Sequence, residues 1–167
     1  SQFSFWVPVD RVDKVLEQPT KSAPEGWMSG KAFMESGDLA LAGKVLVVED
    51  NAVNSKLLMT MLKKMGIHVV AVENGLEAVE CVRNGSWDAV LMDLQMPVMD
   101  GCLATKTIRD FERKTGAQRV PIIAVTANAY PEDREYCLQV GMDDFMPKPV
   151  NARGLRDKLS RWLSKLG

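Results

Sequence analysis

Five side chains could carry out phosphoryl chemistry if the fold brought them together. They are the acidic pair Glu49-Asp50, the carboxylate Asp93, the hydroxyl of Thr126 and the ammonium of Lys148. Three carboxylates in one place repel one another unless a cation compensates them. Hard oxygen ligands with open positions suit Mg2+, which keeps several waters and shares its shell with phosphate. One carboxylate can then act as nucleophile and become an aspartyl phosphate. A lysine neutralises phosphoryl oxygens and a threonine hydroxyl donates to another. Such positioning and charge stabilisation are most of what phosphoryl transfer needs. The plain alternative is that a carboxylate after a strand only caps the next helix. That alternative must hold independently at each of several positions.

The elements around these residues decide whether they meet. From Lys44 onward, short apolar runs alternate with helical patterns. Val45–Val48, His68–Val72, Ala89–Met92, Ile122–Val125 and Asp144–Met146 read as strands. Between and after them come Val53, Leu57, Leu58, Met61, Leu62 and Met65; Leu76, Ala78, Val79 and Val82; Leu103, Ile108 and Phe111; and Leu155, Leu159, Trp162, Leu163 and Leu166. Those are helical stripes. A further helix is predicted from Pro131 to Gly141, since Pro suits a first turn and Gly a cap. Gly66 closes the first helix in the same way. Five β-α units with buried-strand composition predict an α/β fold, a doubly wound parallel sheet with helices on both faces and right-handed crossovers. In such sheets the working site lies beyond the carboxyl ends of the strands. Glu49-Asp50, Asp93, Thr126 and Lys148 stand at or just past those ends.

Composition narrows the rest. Lys+Arg is 21 and Asp+Glu 22, so no overall field attracts nucleic acid or an anionic membrane. No apolar run approaches the ~20 residues of a membrane span, and no secretory leader is visible. Cys81, Cys102 and Cys137 are too few and too scattered for a disulfide framework and fit a reducing compartment. Phe3, Phe5, Val7 and Val9 alternate as a lone strand, which cannot bury its face by itself. Residues 1–9 are therefore expected to be the remnant of an upstream domain. Residues 10–43, broken by Pro19, Pro24, Gly26, Gly30 and Gly37, are expected to be linker, and 44–167 one folded domain. His68 has no companion ligands, the methionines fill core positions, and Cys81 and Cys137 are packed rather than reactive. The charge cluster Arg109–Lys114 is expected to be a solvated face. The first strand lacks a Gly-rich phosphate cradle after it, which disfavours nucleotide binding.

VLVVEDN at 45–51, VLMDLQMPVMDG at 90–101, AVTA at 124–127 and FMPKP at 145–149 resemble the motifs of a response-regulator receiver domain across residues 43 to 167. The resemblance implies a flavodoxin-like receiver fold with strand order 2-1-3-4-5. It implies that Asp93 is the phosphoacceptor. Asp50, Asp93 and the Gln95 main-chain carbonyl would bind Mg2+ directly, with Glu49 acting mostly through water. Thr126 and Lys148 would hold phosphoryl oxygens, Thr126 and Phe145 would form the switch, and Gln95 and Asn128 would tune hydrolysis. Ala127 is small, as the family prefers where phosphate enters. The Lys148–Pro149 bond is expected cis. MDLQMPVMDG is typical of receivers fused to sensor histidine kinases, and SQFSFWVPV resembles the last strand of a histidine-kinase ATP-binding domain. The chain thus reads as the C-terminal receiver of a hybrid histidine kinase in a two-component phosphorelay. Its expected partners are a histidine-phosphotransfer domain and the kinase core of its parent, with no nucleic acid and no direct membrane contact. It is expected in the cytoplasm, any membrane anchor lying in parts of the parent absent here. The segment would catalyse only its own aspartyl phosphorylation and dephosphorylation.

Two other classes stay open at this point. One is a metal-dependent phosphatase with an aspartyl nucleophile. Such haloacid-dehalogenase-like enzymes place a second acid two residues after the nucleophile, where this chain has Gln95. The other is a degenerate receiver that only binds protein, which the intact Glu49, Asp50, Asp93, Thr126 and Lys148 argue against. Helix geometry adds a partner-docking candidate. Val53 falls ~120° from the centre of the first helical stripe, one turn after the acidic pair, and is expected at the rim as an apolar anchor for a phosphotransfer helix.

Overall fold

The computed structural model describes residues 40–128 and 130–164. The expected strand at residues 1–9, and most of the expected linker, lie outside them. Five strands, β1 (Lys44–Val48), β2 (His68–Val72), β3 (Ala89–Asp93), β4 (Ile122–Thr126) and β5 (Asp144–Pro147), alternate with five helices. These are α1 (Ala52–Lys64), α2 (Gly75–Asn84), α3 (Gly101–Thr115), α4 (Pro131–Gln139) and α5 (Ala152–Leu163). The strands pair in parallel in the order β2-β1-β3-β4-β5. The doubly wound sheet is the one the sequence predicts, and its strand order is the one the resemblance implies.

The central strands are apolar throughout because both faces are covered. Val45, Val47, Leu91, Ile123 and Val125 point to one side and pack with Leu58 and Leu62 of α1 and Leu155 and Leu159 of α5. Leu46, Val48, Val90, Met92, Ile122 and Ala124 point to the other and pack with Ala78, Val79, Ala104, Ile108 and Cys137. Cys81 and Cys137 are buried as expected, and desolvation is the main reason their thiol pKa values lie above the ordinary one. Side-chain caps start four helices: Asn51, Asn74, Asp100 and Asn151 each accept main-chain N–H bonds. Residues 40–43 run against the domain. Leu41 N–H donates to Met65 O at 2.9 Å, and its side chain packs beside α1.

Two expectations are corrected. Of the residues counted in the apolar helical stripes, Leu57, Leu76 and Leu103 are exposed. Leu58 and Leu62 centre the buried stripe of α1, and Leu57 stands ~100° from Leu58, too far round to reach the strands. The second correction concerns Arg109–Lys114, which is not a solvated face throughout. Arg109 and Glu112 are each only 6% exposed. Arg109 bonds Glu112 and Asp143 at 2.7 Å each, and also Val120 O and Gly141 O. Buried charge survives only when paired and hydrogen-bonded, and this arginine ties α3 to the amino-terminal ends of β4 and β5.

Candidate functional site

The carboxyl edge of the sheet collects the predicted groups. β1 and β3 are neighbours, so Glu49 and Asp50, just beyond β1, stand beside Asp93, the last residue of β3. One carboxylate oxygen from each of the three lies within 4.8 Å of the others. Asp50 is exposed, whereas Glu49 and Asp93 are only 2% and 6% exposed. Lys148 reaches in from beyond β5, with its Nζ 2.8 Å from both Asp93 Oδ2 and Glu49 Oε2. Burial alone lowers the Lys148 pKa, but contacts with Asp93 and Glu49 outweigh it and the net shift is upward. The ammonium therefore stays charged at neutral pH. The Lys148–Pro149 bond is cis, as expected.

Backbone contacts fix these groups. Gln95 N–H donates to Asp93 Oδ1 at 3.1 Å. Asn51 N–H and Asn54 Nδ2 donate to Glu49 Oε1 at 3.2 and 3.4 Å. Lys148 N–H donates to Thr126 O at 2.7 Å. Gly101 is required by close approach: a Cβ there would lie 2.1 Å from Asp93 O. Thr126 is buried at the end of β4, one residue past the Asp93↔Val125 pair. Its Oγ1 accepts from Asn128 N–H at 3.1 Å, which leaves the hydroxyl hydrogen free to donate. Phe145 pairs in register with Ala124 and is partly buried against the α2–α3 side of the core. Ala127 and Asn128 are exposed after β4. Val53 is 75% exposed at the start of α1.

The donor set fits a hard divalent cation. Glu49 Oε2 is buried and meets the Lys148 ammonium as an ion pair, yet no donor is aligned on it for a hydrogen bond. Two more carboxylates stand within reach. One lysine against three carboxylates leaves negative charge uncompensated, which a small oxygen-loving cation would balance. Sequence reading missed the hold of Asn51 and Asn54 on Glu49. The one available signal was two asparagines at the first turn of a helix that follows the acidic pair.

Residues 45–160 match the family model for the response regulator receiver domain. The chain is 45% identical over 121 residues to the sensor protein GacS of Pseudomonas syringae pv. syringae, covering 72% of this chain and 13% of that protein. It is 45% identical over 115 residues to hybrid signal transduction histidine kinase B of Dictyostelium discoideum, covering 64% of this chain and 6% of that protein. The chain thus spans only a small part of the curated relatives it matches. Among solved structures it is similar to the receiver domain of Ssk1, co-crystallised with the histidine phosphotransfer protein Ypd1 of Saccharomyces cerevisiae (TM-score 0.72, 37% identity, 75% of this chain and 92% of that one). It is also similar to the receiver domain of sensor histidine kinase PA1611 of Pseudomonas aeruginosa, crystallised with magnesium in its active-site cleft (TM-score 0.66, 41% identity, 74% of this chain and 98% of that one).

Proposed function

This chain belongs to the response regulator receiver domain family, and from that premise we propose how its own side chains perform a phosphorelay step. The observation that carries the reading is the placement of Lys148 Nζ, 2.8 Å from both Asp93 Oδ2 and Glu49 Oε2, beside the exposed carboxylate of Asp50. Asp93 is the phosphoacceptor. One of its carboxylate oxygens attacks the phosphorus of a phosphohistidine. A P–O bond forms, the P–N bond breaks, and the imidazole nitrogen leaves with the electron pair. Lys148, held charged, neutralises a phosphoryl oxygen, and the free hydrogen of the Thr126 hydroxyl goes to another.

Asp50, Asp93 and the Gln95 main-chain carbonyl would hold Mg2+ directly. Glu49, turned into the protein by Asn51, Asn54 and Lys148, would act through water. Bound Mg2+ supplies charge neutralisation at the phosphoryl oxygens. The Gln95 and Asn128 side chains, outside this inner set, govern how water reaches the phosphoryl group. Thr126, drawn to the phosphoryl group, lets Phe145 shift on the neighbouring strand, which makes the pair a switch. Ala127 leaves room for phosphate to enter.

The donor and recipient are a histidine-phosphotransfer protein and the kinase core of a hybrid histidine kinase that carries this receiver. Val53 serves as a docking contact. Among the described residues no helix is long and apolar enough to cross a membrane. Three free cysteines support a cytoplasmic setting, with any anchor elsewhere in the parent chain. Incubation with Mg2+ and phosphoramidate should add one phosphoryl group, seen by intact-protein mass, and Asp93→Asn should add none. Labelling of that variant at the wild-type level would refute the assignment.

A further inference from the structure

Gly75 opens α2 as a buried residue, set against the loop that leaves Asp93. Its N–H donates to Met99 O at 3.0 Å. The first N–H groups of a helix have no intrahelical acceptor, so the loop takes a donor that α2 has to spare. A Cβ on Gly75 would lie 2.5 Å from Met99 O and 2.9 Å from Ala104 Cβ. Gly75 is not one of the glycines with positive φ. The fold therefore uses its missing side chain and not its backbone freedom. The start of α2 is itself fixed. Asn74 Oδ1 accepts from Glu77 N–H at 3.0 Å, and the Glu77 carboxylate accepts from Glu73 N–H at 3.1 Å and from Asn74 Nδ2 at 3.0 Å. These bonds form a reciprocal capping box around Gly75.

The loop, by contrast, is strained. Val98 is the one non-glycine residue with positive φ among the described residues, at +70°, and Met99 N–H donates to Pro97 O across it at 2.8 Å. A γ-turn with left-handed backbone at its centre is rare, and a β-branched residue there is an outlier. Such a conformation persists only where its surroundings impose it. Gly101 N–H closes the base of the loop on Leu94 O at 3.1 Å, and Leu94, Met96 and Met99 pack on the α2–α3 side of the core. The bond from Gly75 holds the residue that directly follows the strained turn. Between the closed base and the held Met99 lies Gln95, whose N–H donates to Asp93 Oδ1 at 3.1 Å. We propose that Gly75 is a positioning residue for the divalent cation. Through Met99 O, α2 holds the strained loop in its path, and the loop so held keeps the Gln95 main-chain carbonyl in place for the metal. Gly75 acts through the loop and not by contact with the cation. The proposal rests on the metal-binding reading of the site given above.

The test is calorimetric titration with Mg2+ of the unphosphorylated wild type, Gly75→Ala, Glu77→Ala and Val79→Ala. Gly75→Ala forces Met99 O away, and its Mg2+ dissociation constant should rise at least about tenfold, as when a group behind a metal ligand is lost. Glu77→Ala opens the capping box without adding bulk and should weaken Mg2+ binding about fivefold, the scale of a lost cap. Val79→Ala removes core volume from the same helix. It should melt lower than wild type and bind Mg2+ equally well. Labelling of the first two variants by phosphoramidate should need correspondingly more Mg2+ yet approach the wild-type rate once Mg2+ saturates, because Asp93, Thr126 and Lys148 are untouched. Gly75→Ala with wild-type Mg2+ affinity overturns the proposal. So does Val79→Ala binding as weakly as Gly75→Ala, which would make the effect one of general stability. If Gly75→Ala does not fold, wild-type Mg2+ affinity in Glu77→Ala overturns it alone. Wild type that binds no Mg2+ would instead bring down the metal-binding reading itself.

Discussion

The Lys148 ammonium stands 2.8 Å from Asp93 Oδ2, although 55 residues separate the two in the chain. The sheet makes the meeting possible. Thr126 pairs with Pro147 across β4 and β5, and the Lys148 N–H donates to Thr126 O, so the side chain starts at the rim and crosses to β3. Lys148→Gln keeps the length but removes the charge. Phosphorylation by phosphoramidate should fall by roughly 10²–10³-fold, the cost of losing one preorganised stabiliser of developing charge. Without divalent cation the variant should also lose about 1–3 kcal/mol of stability, because buried Glu49 is left without its counter-charge. Urea melts with and without Mg2+ check this. The deficit should shrink when Mg2+ is present.

Arg109 should matter for folding and not for chemistry. It pairs with Glu112 and Asp143 behind α3, at the end of β4 opposite the one that carries Thr126. Arg109→Met should cost about 3–5 kcal/mol in urea denaturation, the usual result of stranding buried carboxylates. Adding Glu112→Gln should recover part of the loss. Phosphorylation of the folded variant by phosphoramidate should match wild type. A loss near zero would mean that water reaches the network.

These two sites differ in how openly the sequence displays them. Strands buried on both faces must be continuously apolar, so β1, β3 and β4 are plain, and the acids, hydroxyl and lysine follow from where those runs stop. Arg109 and Glu112 are another matter. Their i, i+3 spacing is the same on a solvated helix and on one packed against a loop, so only tertiary packing separates the two. Leu57, Leu76 and Leu103 fail for a related reason: a helix lying on a sheet buries a narrower arc than the apolar residues on it can span. Val98 is hidden because positive φ is ordinarily signalled by Gly or Asn, and a valine after Pro97 gives no such sign.

Asp144 should set part of the acid limit of stability. Burial by itself would raise its pKa. Hydrogen bonds from Lys158, Phe145 N–H and the Trp162 indole outweigh that, and the net shift is downward. A depressed folded-state pKa means that the carboxylate's contribution is complete above its unfolded value of about 3.9. It is lost as pH falls from there through the folded value. Asp144→Asn should therefore lower stability at neutral pH and flatten its fall below about pH 4. Urea midpoints measured from pH 7 to pH 3 decide it. Wild type and variant curves that stay parallel across that range would exclude the linkage.

Val53 tests whether docking and chemistry separate. Its side chain is 75% exposed, while its N–H is held by Asn51 Oδ1 at 3.0 Å in the cap of α1, so the backbone is fixed and the side chain faces outward. Val53→Asp places a charge where an apolar contact is proposed. Acid in the first turn of a helix interacts favourably with the dipole, so the melting temperature should not fall and unfolding cannot mimic the expected effect. Transfer from a phosphorylated histidine-phosphotransfer protein should slow by about tenfold, the equivalent of ~1.4 kcal/mol of lost contact. Labelling by phosphoramidate should change by less than about twofold, since that donor needs no docking surface. If both reactions slow together, Val53 supports the geometry around Glu49 and Asp50 rather than an interface. If neither slows, the phosphotransfer helix approaches Asp93 without touching the start of α1.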